Sequence, residues 1–303
     1  MTPLPSLDEP YVLASDAVEG YRRDGFAIVR GLASPEEIAS FRPAIADAAR
    51  RFNRERRPLA ERDTYGKAFL QTINLWRRDG TARRFVFARR FARVAAELMG
   101  VAGVRLYHDQ ALFKEAGGAH TPWHQDQWYW PLDTRHTVTM WMALGDLAPD
   151  MGIMHFARGS HAHGQISELP IGDASEEELA HVVAQRGFEV VSAGSMRAGD
   201  ATFHSGWTLH GAPPNRSAVT REAMTVIYFA DGTRVLAPDN PGRAFDLRWW
   251  LPGLAPGDLA ASPDNALLYS NEGTLSPRPI GQSPTGPHSP ARSARPRASR
   301  ADS

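Results

Sequence analysis

Cysteine is absent from the 303 residues, and that one gap removes disulfides, thiolate metal sites, iron–sulfur clusters and a cysteine nucleophile together. Any metal must then be held by histidine and carboxylate. Net charge is missing too: 34 lysines and arginines balance 34 aspartates and glutamates, so no overall field draws in nucleic acid or an anionic membrane surface. No stretch is apolar and long enough to span a bilayer, and the opening MTPLPSLDEP has neither the basic start nor the apolar run of a secretory signal. The default expectation is a cytoplasmic protein with no nucleic-acid or membrane partner, and the sequence points to no protein partner. A chain of this length suits one large domain with a well-buried core.

What is present changes texture along the chain. Residues 25–30, GFAIVR, suit a short strand. Ser34-Pro35-Glu36-Glu37 then satisfies the free amides of a helix start, with a serine cap, a proline in the first turn and a glutamate three residues on. That helix is expected to run to about Arg54. Over 81–98, Phe87, Phe91, Val94 and Leu98 recur at helical spacing, which predicts one amphipathic helix ended by Gly100. Its arginines, and those at 50–57, are read as a solvated face. After about residue 103 come short β-like runs at 104–113, 136–147, 189–192, 201–209 and 222–230, separated by turn residues, as in an antiparallel sandwich or barrel. An inserted helix is expected at 173–186, with Glu176, Glu177 and Glu178 near its positive end. Residues 276–303 are nearly all Ser, Pro, Arg, Gly and Ala and are expected to stay disordered.

The densest chemical signal is TPWHQDQWYW at 121–130. On a strand, residues two apart share a face, so His124 and Asp126 can present an imidazole and a carboxylate to one ion. A lone H-x-D is more often a structural pair. A third ligand is offered by GDATFHSGWTLHGAPPN at 199–215, where His210 is placed at a strand's end before a turn. Two imidazoles and one carboxylate on one face of an octahedral ion leave the opposite face open, as in non-haem iron(II) oxygenases. Arg221 opens the next strand. A 2-oxo acid chelating such an ion would leave its distal carboxylate buried, and an arginine fork there supplies charge-assisted hydrogen bonds.

These segments resemble the phytanoyl-CoA dioxygenase family over about 21–269: YRRDGFAIVRGL at 21–32, WHQDQWYW at 123–130, MWMALGDL at 140–147, MGIMHFARGSH at 151–161, and GDATFHSGWTLHG followed by Arg221. The resemblance implies a mainly β fold with peripheral helices, built on a double-stranded β-helix (a cupin-like jelly roll). It also implies iron(II), 2-oxoglutarate and dioxygen, with His124, Asp126 and His210 as metal ligands and Arg221 on the cosubstrate. Hydroxylation of a small organic substrate would accompany loss of succinate and CO2. Related halogenases replace the carboxylate ligand by a small residue, and Asp126 argues against that chemistry. Many relatives carry a serine two residues after the distal histidine, whereas this chain has Ala212. The implied organisation is a lead-in at 1–20, one oxygenase domain at 21–275 with a helical part over about 34–100 and a β core over about 103–235, and the tail.

Other residues stay open. Lys114 and Thr139 lie on flanking strands and either complete the cosubstrate pocket or are ordinary strand residues. Trp123, Trp128, Trp141 and Trp207 are candidates for an aromatic pocket suited to an apolar substrate, although alternate residues of any barrel strand pack its core. His161 and His163 are read as a loop rather than a rival metal pair. His204, taken to share the His210 strand and to lie far down the barrel, and His108 are read as supporting or core groups. His120 and His136 are undetermined. Two readings compete: a zinc or manganese jelly-roll hydrolase or isomerase using the same three ligands, and a jelly-roll binding module without catalysis.

Overall fold

A computed structural model describes residues 3–271. The tail expected to be disordered lies outside the described residues. The first helix, α1 (Ser15–Asp24), ends on Gly25, whose φ of 83° places it in the left-handed region that glycine adopts at little cost. Next come β1 (Phe26–Val29) and α2 (Pro35–Phe52). The expected capping box is formed, with Ser34 Oγ accepting from Glu37 N at 3.1 Å and Glu37 accepting from Ser34 N at 2.8 Å. The helix stops two residues short of Arg54 because Asn53 is extended. Then follow α3 (Thr64–Ala68), β2 (Leu70–Ile73), α4 (Gly80–Val86) and α5 (Arg89–Met99).

The single helix expected over 81–98 is thus two. Ala88 adopts φ −57° and ψ 117° and breaks the path, while Phe85, Phe91, Val94 and Leu98 still reach one core. Periodicity survived the break because both pieces pack on the same surface. The boundary expected at residue 20 falls inside α1. Leu7, 3 % exposed, already sits in the main core, and its carbonyl accepts from Arg90 N at 3.2 Å.

The β part runs β3 (Gly103–Lys114), β4 (Thr121–His124), β5 (Thr137–Ala143), β6 (His155–Ala157), α6 (Asp173–Gln185), β7 (Val190–Ser192), β8 (Ala201–Ser205), β9 (His210–Ala212), β10 (Arg221–Ala230), α7 (Pro241–Trp250) and β11 (Leu267–Ser270). The large sheet has the order β1-β8-β5-β10-β3-β11, with β2 also on β3, and the small sheet is β4-β9-β6-β7. Every pairing is antiparallel. This non-sequential order in two apposed sheets is the expected jelly roll. Phe26 of the large sheet stacks on Phe156 of the small one at 4.6 Å.

All ten residues of β10 are buried, so both faces of the large sheet are covered. Met224, Val226 and Tyr228 face the helices and join the core that holds Phe91 and Leu98. Alternate residues Arg221, Thr225 and Ile227 line a cavity between the sheets, the period-two separation a strand imposes. No helix among the described residues is long and apolar enough to cross a membrane.

Candidate active site

The run 201–209 is not one strand. β8 stops at Ser205, the chain turns with Thr208 N bonded to Ser205 O at 2.9 Å, and His210 opens β9 in the other sheet. Gly206 makes the turn possible, since a Cβ there would lie 2.5 Å from Thr137 Oγ1 and 2.7 Å from Gln127 Oε1. The crossover corrects the expectation for His204. It lies on β8, across the cavity from β9, with its ring 4.2 Å from that of His210.

His124 and His210 are direct partners in the β4–β9 pairing. Their ring centroids are 4.1 Å apart. Each is oriented by a backbone carbonyl two residues earlier, His124 Nδ1 at 2.7 Å from Pro122 O and His210 Nδ1 at 3.0 Å from Thr208 O. A carbonyl only accepts, so the proton belongs on Nδ1 and each Nε2 keeps its lone pair for a metal. Asp126 is not on the strand, as the H-x-D spacing suggested; β4 ends at His124, and Asp126 opens a tight helical turn at Asp126–Tyr129. Its Oδ1 still lies 3.5 Å from His124 Nε2 and 3.8 Å from His210 Nε2. One donor atom from each of the three falls within 4.8 Å of the others.

The other carboxylate oxygen is held from the large sheet. Thr139 Oγ1 donates to Asp126 Oδ2 at 2.8 Å, and His204 Nε2 is 3.4 Å from the same atom. Thr139 therefore contacts the carboxylate of the candidate metal site. Burial would raise the Asp126 carboxyl, but His210 and the neighbouring imidazoles outweigh it and hold the group well below its ordinary value. Burial, then His124 and His204, push His210 well down. An ionised carboxylate and neutral imidazoles are the forms that bind a divalent ion.

The cavity has a volume of about 370 Å³ and opens directly on the triad. Arg221 lies in its wall, 2 % exposed, with the guanidinium carbon 5.0 Å over the Trp141 ring. Trp141 is the next inward residue after Thr139 on β5, which brings the guanidinium toward the metal ligands. Nη1 donates to Gly152 O at 2.5 Å, while Nε is buried with no hydrogen-bond partner, and no carboxylate pairs with Arg221 among the described residues. Burial pulls its pKa down to about 9. Lys114 is its direct partner in the β10–β3 register, yet it does not line the cavity. Its Nζ donates to Ala119 O and, at 3.2 Å, to Thr121 Oγ1. Burial and then Arg221 lower it to about 6. Thr121 itself lines the cavity and faces Ala212 across the β4–β9 pair.

Of the four tryptophans expected in a pocket, only Trp141 lines it. Trp123 turns outward to stack on His155 at 4.3 Å, Trp128 packs on Tyr129 at 4.6 Å, and Trp207 sits in the crossover turn, where its carbonyl accepts from Gln125 Nε2. Strand alternation explains the first, and the turn at 126–129 removes the second from any strand face. His161 and His163 lie in a short helical turn, with His161 Nε2 3.2 Å from Arg22 O, apart from the triad. Residues 71, 110, 129, 130, 246 and 250 also line the cavity. Sequence reasoning missed Gln71, Asp246 and Trp250 because β2 and α7 carried no motif.

The chain is similar to several known proteins. A probable alpha-ketoglutarate-dependent hypophosphite dioxygenase of Stutzerimonas stutzeri is 27 % identical over 146 residues, 46 % of this chain and 50 % of that protein. The chain thus spans half the length of that relative. An ectoine dioxygenase of Stutzerimonas stutzeri (strain A1501) is 25 % identical over 258 residues, 75 % of this chain and 80 % of its own length. The crystal structure of the epimerase SnoN with Fe3+, alpha ketoglutarate and nogalamycin RO superimposes with a TM-score of 0.67 at 25 % identity, covering 84 % of this chain and 98 % of that one. The family model for phytanoyl-CoA dioxygenase matches residues 21–223, a span that includes the triad and Arg221, and the chain belongs to that family.

Proposed function

We propose that this protein is an iron(II)- and 2-oxoglutarate-dependent dioxygenase that hydroxylates a small organic molecule with release of succinate and CO2. The observation that carries the reading is the pairing of a His-Asp-His donor set with a buried arginine that has no anion of its own in the same cavity. A dicarboxylate held by the metal at one end and by Arg221 at the other satisfies both. A hydrolase or isomerase using the same ligands leaves Arg221 without a role.

His124 Nε2, His210 Nε2 and Asp126 Oδ1 would hold the iron. Bound iron with 2-oxoglutarate supplies oxidising power toward an unactivated C–H bond. The chain's own part is placement. Thr139 and His204 engage Asp126 Oδ2, which leaves Oδ1 as the donor turned to the imidazoles. Arg221 would fix the distal carboxylate of the cosubstrate by charge-assisted hydrogen bonds in a site where an unpaired charge is costly. Ala212 has no hydroxyl, but Thr121, across the strand pair, presents one to the same wall. The retained Asp126 supports hydroxylation over halogenation.

The test is succinate formation by the purified protein given iron(II), ascorbate and 2-oxoglutarate, where uncoupled turnover appears without the true substrate. Iron-dependent succinate is expected. Its absence, with the metal shown to be bound, refutes the proposal.

A further inference from the structure

From Thr139 the cavity lining extends in two directions, one arm toward Arg221 and one toward His108, and the second has a chemistry of its own. His204, Thr139, Ile227 and His108 form one row of partners across β8, β5, β10 and β3. With strands about 4.8 Å apart, His108 lies two strands beyond the Thr139 that holds Asp126. Arg221 lies instead along β10 from that row, so the proposed cosubstrate arm and the His108 arm leave the metal in different directions. The helix α7 borders the second arm with Phe245, Asp246 and Trp250, and Asn240 before it donates through Nδ2 to Trp128 O at 3.2 Å.

Among the described residues Arg221 is the one lysine or arginine in the cavity wall, while Asp63, Asp173 and Asp246 join Asp126 there. Asp246 is 3 % exposed and accepts from Tyr107 Oη at 3.1 Å. Asp63 and Asp173 stand at the rim, where Thr64 Oγ1 donates to Asp173 at 2.8 Å. His108, 4 % exposed, faces the same arm with Nδ1 buried and no hydrogen-bond partner among the described residues. Its ring lies 5.2 Å from that of Trp250, and the Phe245 ring lies 6.4 Å from the same indole. Burial lowers its pKa to about 3, so it meets a ligand as a neutral imidazole that does not repel a cation.

Resting on the proposed function, we infer that the substrate carries a protonated amine, received by Asp246 and His108 among the faces of Trp250, Phe245 and Tyr129, with Asp63 and Asp173 attracting it at the rim. Carboxylates complement an ammonium group, and aromatic faces favour a cation they desolvate. The same wall disfavours anionic substrates such as phosphate esters. The aromatic surface still accommodates an apolar body beside the amine.

The test uses matched probes with one ring system and three end groups: tryptamine, N-acetyltryptamine and indole-3-propionate, together with phenyl and cyclohexyl counterparts. Each is titrated calorimetrically into the manganese-loaded protein, with and without 2-oxoglutarate, under anaerobic conditions. Amines are expected to bind at least tenfold more tightly than the neutral amides, with the carboxylates weakest. Asp246→Asn should lower the amine-to-amide ratio at least fivefold, and Asp173→Asn about twofold. The exposed rim variant keeps the test available if Asp246→Asn fails to fold. Equal affinities, tighter carboxylates, no amine binding or ratios unchanged in the folded variants would overturn the inference. Failure of 2-oxoglutarate to bind sinks the oxygenase reading instead, and the titration without it still reads the amine preference.

Discussion

Replacing Arg221 by methionine keeps an unbranched side chain of similar reach and removes the charge. In the native cavity the guanidinium is buried beside Trp141 without a carboxylate partner. Once 2-oxoglutarate binds, its distal carboxylate and Arg221 would form a buried charge pair. Removing one member of such a pair costs about 2–5 kcal/mol, which corresponds to a roughly 30- to 5,000-fold rise in Kd. Calorimetry on the manganese-loaded protein measures it directly. A thermal readout separates this from damage to the fold. At a hundred times its Kd, 2-oxoglutarate should stabilise the wild type by about 2.7 kcal/mol, a Tm increase of roughly 5 °C at the usual entropy of unfolding. Arg221→Met should abolish that increase at the same ligand concentration without lowering the Tm of the ligand-free protein. The sign follows from burial: the folded pKa of Arg221, about 9, lies below its ordinary 12.5. The cost of holding the cation is therefore fully present below pH 9 and shrinks above it. A Kd within threefold of wild type would refute the assignment of Arg221 to the cosubstrate.

Three further outcomes follow from the same geometry. Asp126→Ala should abolish metal binding at micromolar manganese, read by paramagnetic resonance, and abolish succinate formation; retained wild-type turnover would count against the triad. Thr139→Val preserves shape but deletes the 2.8 Å bond to Asp126 Oδ2, and metal affinity should fall about 10- to 100-fold, so an unchanged affinity would show that the bond does not orient the ligand. Lys114, lowered by burial and Arg221 to about 6 from 10.5, is neutral when folded and protonated when unfolded between those values. Wild-type stability should therefore gain up to ~1.4 kcal/mol per pH unit across that window. Lys114→Met should be flatter there by denaturant titration, and parallel curves would show that the buried lysine stays charged.

The chemistry was more legible in the sequence than the path of the chain. His124, Asp126 and His210 stand in motifs whose residue types suit one ion, and they meet as expected. Strand alternation is not what joins His124 to Asp126: β4 ends at His124, and the helical turn that begins at Asp126 carries its carboxylate to the imidazoles. His204 lies beside His210 rather than far down the barrel for a related reason. In an uninterrupted strand, six residues separate two side chains by about 20 Å, but the turn over 206–209 sends His210 to the opposite sheet and brings the rings to 4.2 Å. That turn depends on Gly206 fitting against Thr137 and Gln127, a tertiary contact with no local signature. The aromatic pocket was poorly legible because a tryptophan's identity does not state which face of its strand is inward.

The two-sheet arrangement also explains why the ligands need support from outside their own strands. β4 and β9 are short and at the cavity edge, with four and three residues, and neither alone fixes a carboxylate to within the tolerance a metal requires. The constraint comes from β5 and β8 of the large sheet, whose Thr139 and His204 are register partners and reach the same Asp126 oxygen. α6 steadies the other side, as Glu176 Oε2 accepts from Trp123 N at 2.7 Å and Ser175 Oγ donates to Trp123 O at 3.1 Å. The acidic start of α6, legible in the sequence only as a match to the helix dipole, thus clamps the strand that carries His124. Loosening that clamp with Glu176→Ala should weaken metal binding although Glu176 touches no ligand. An unchanged metal affinity in a folded Glu176→Ala protein would show that the large sheet alone sets the geometry.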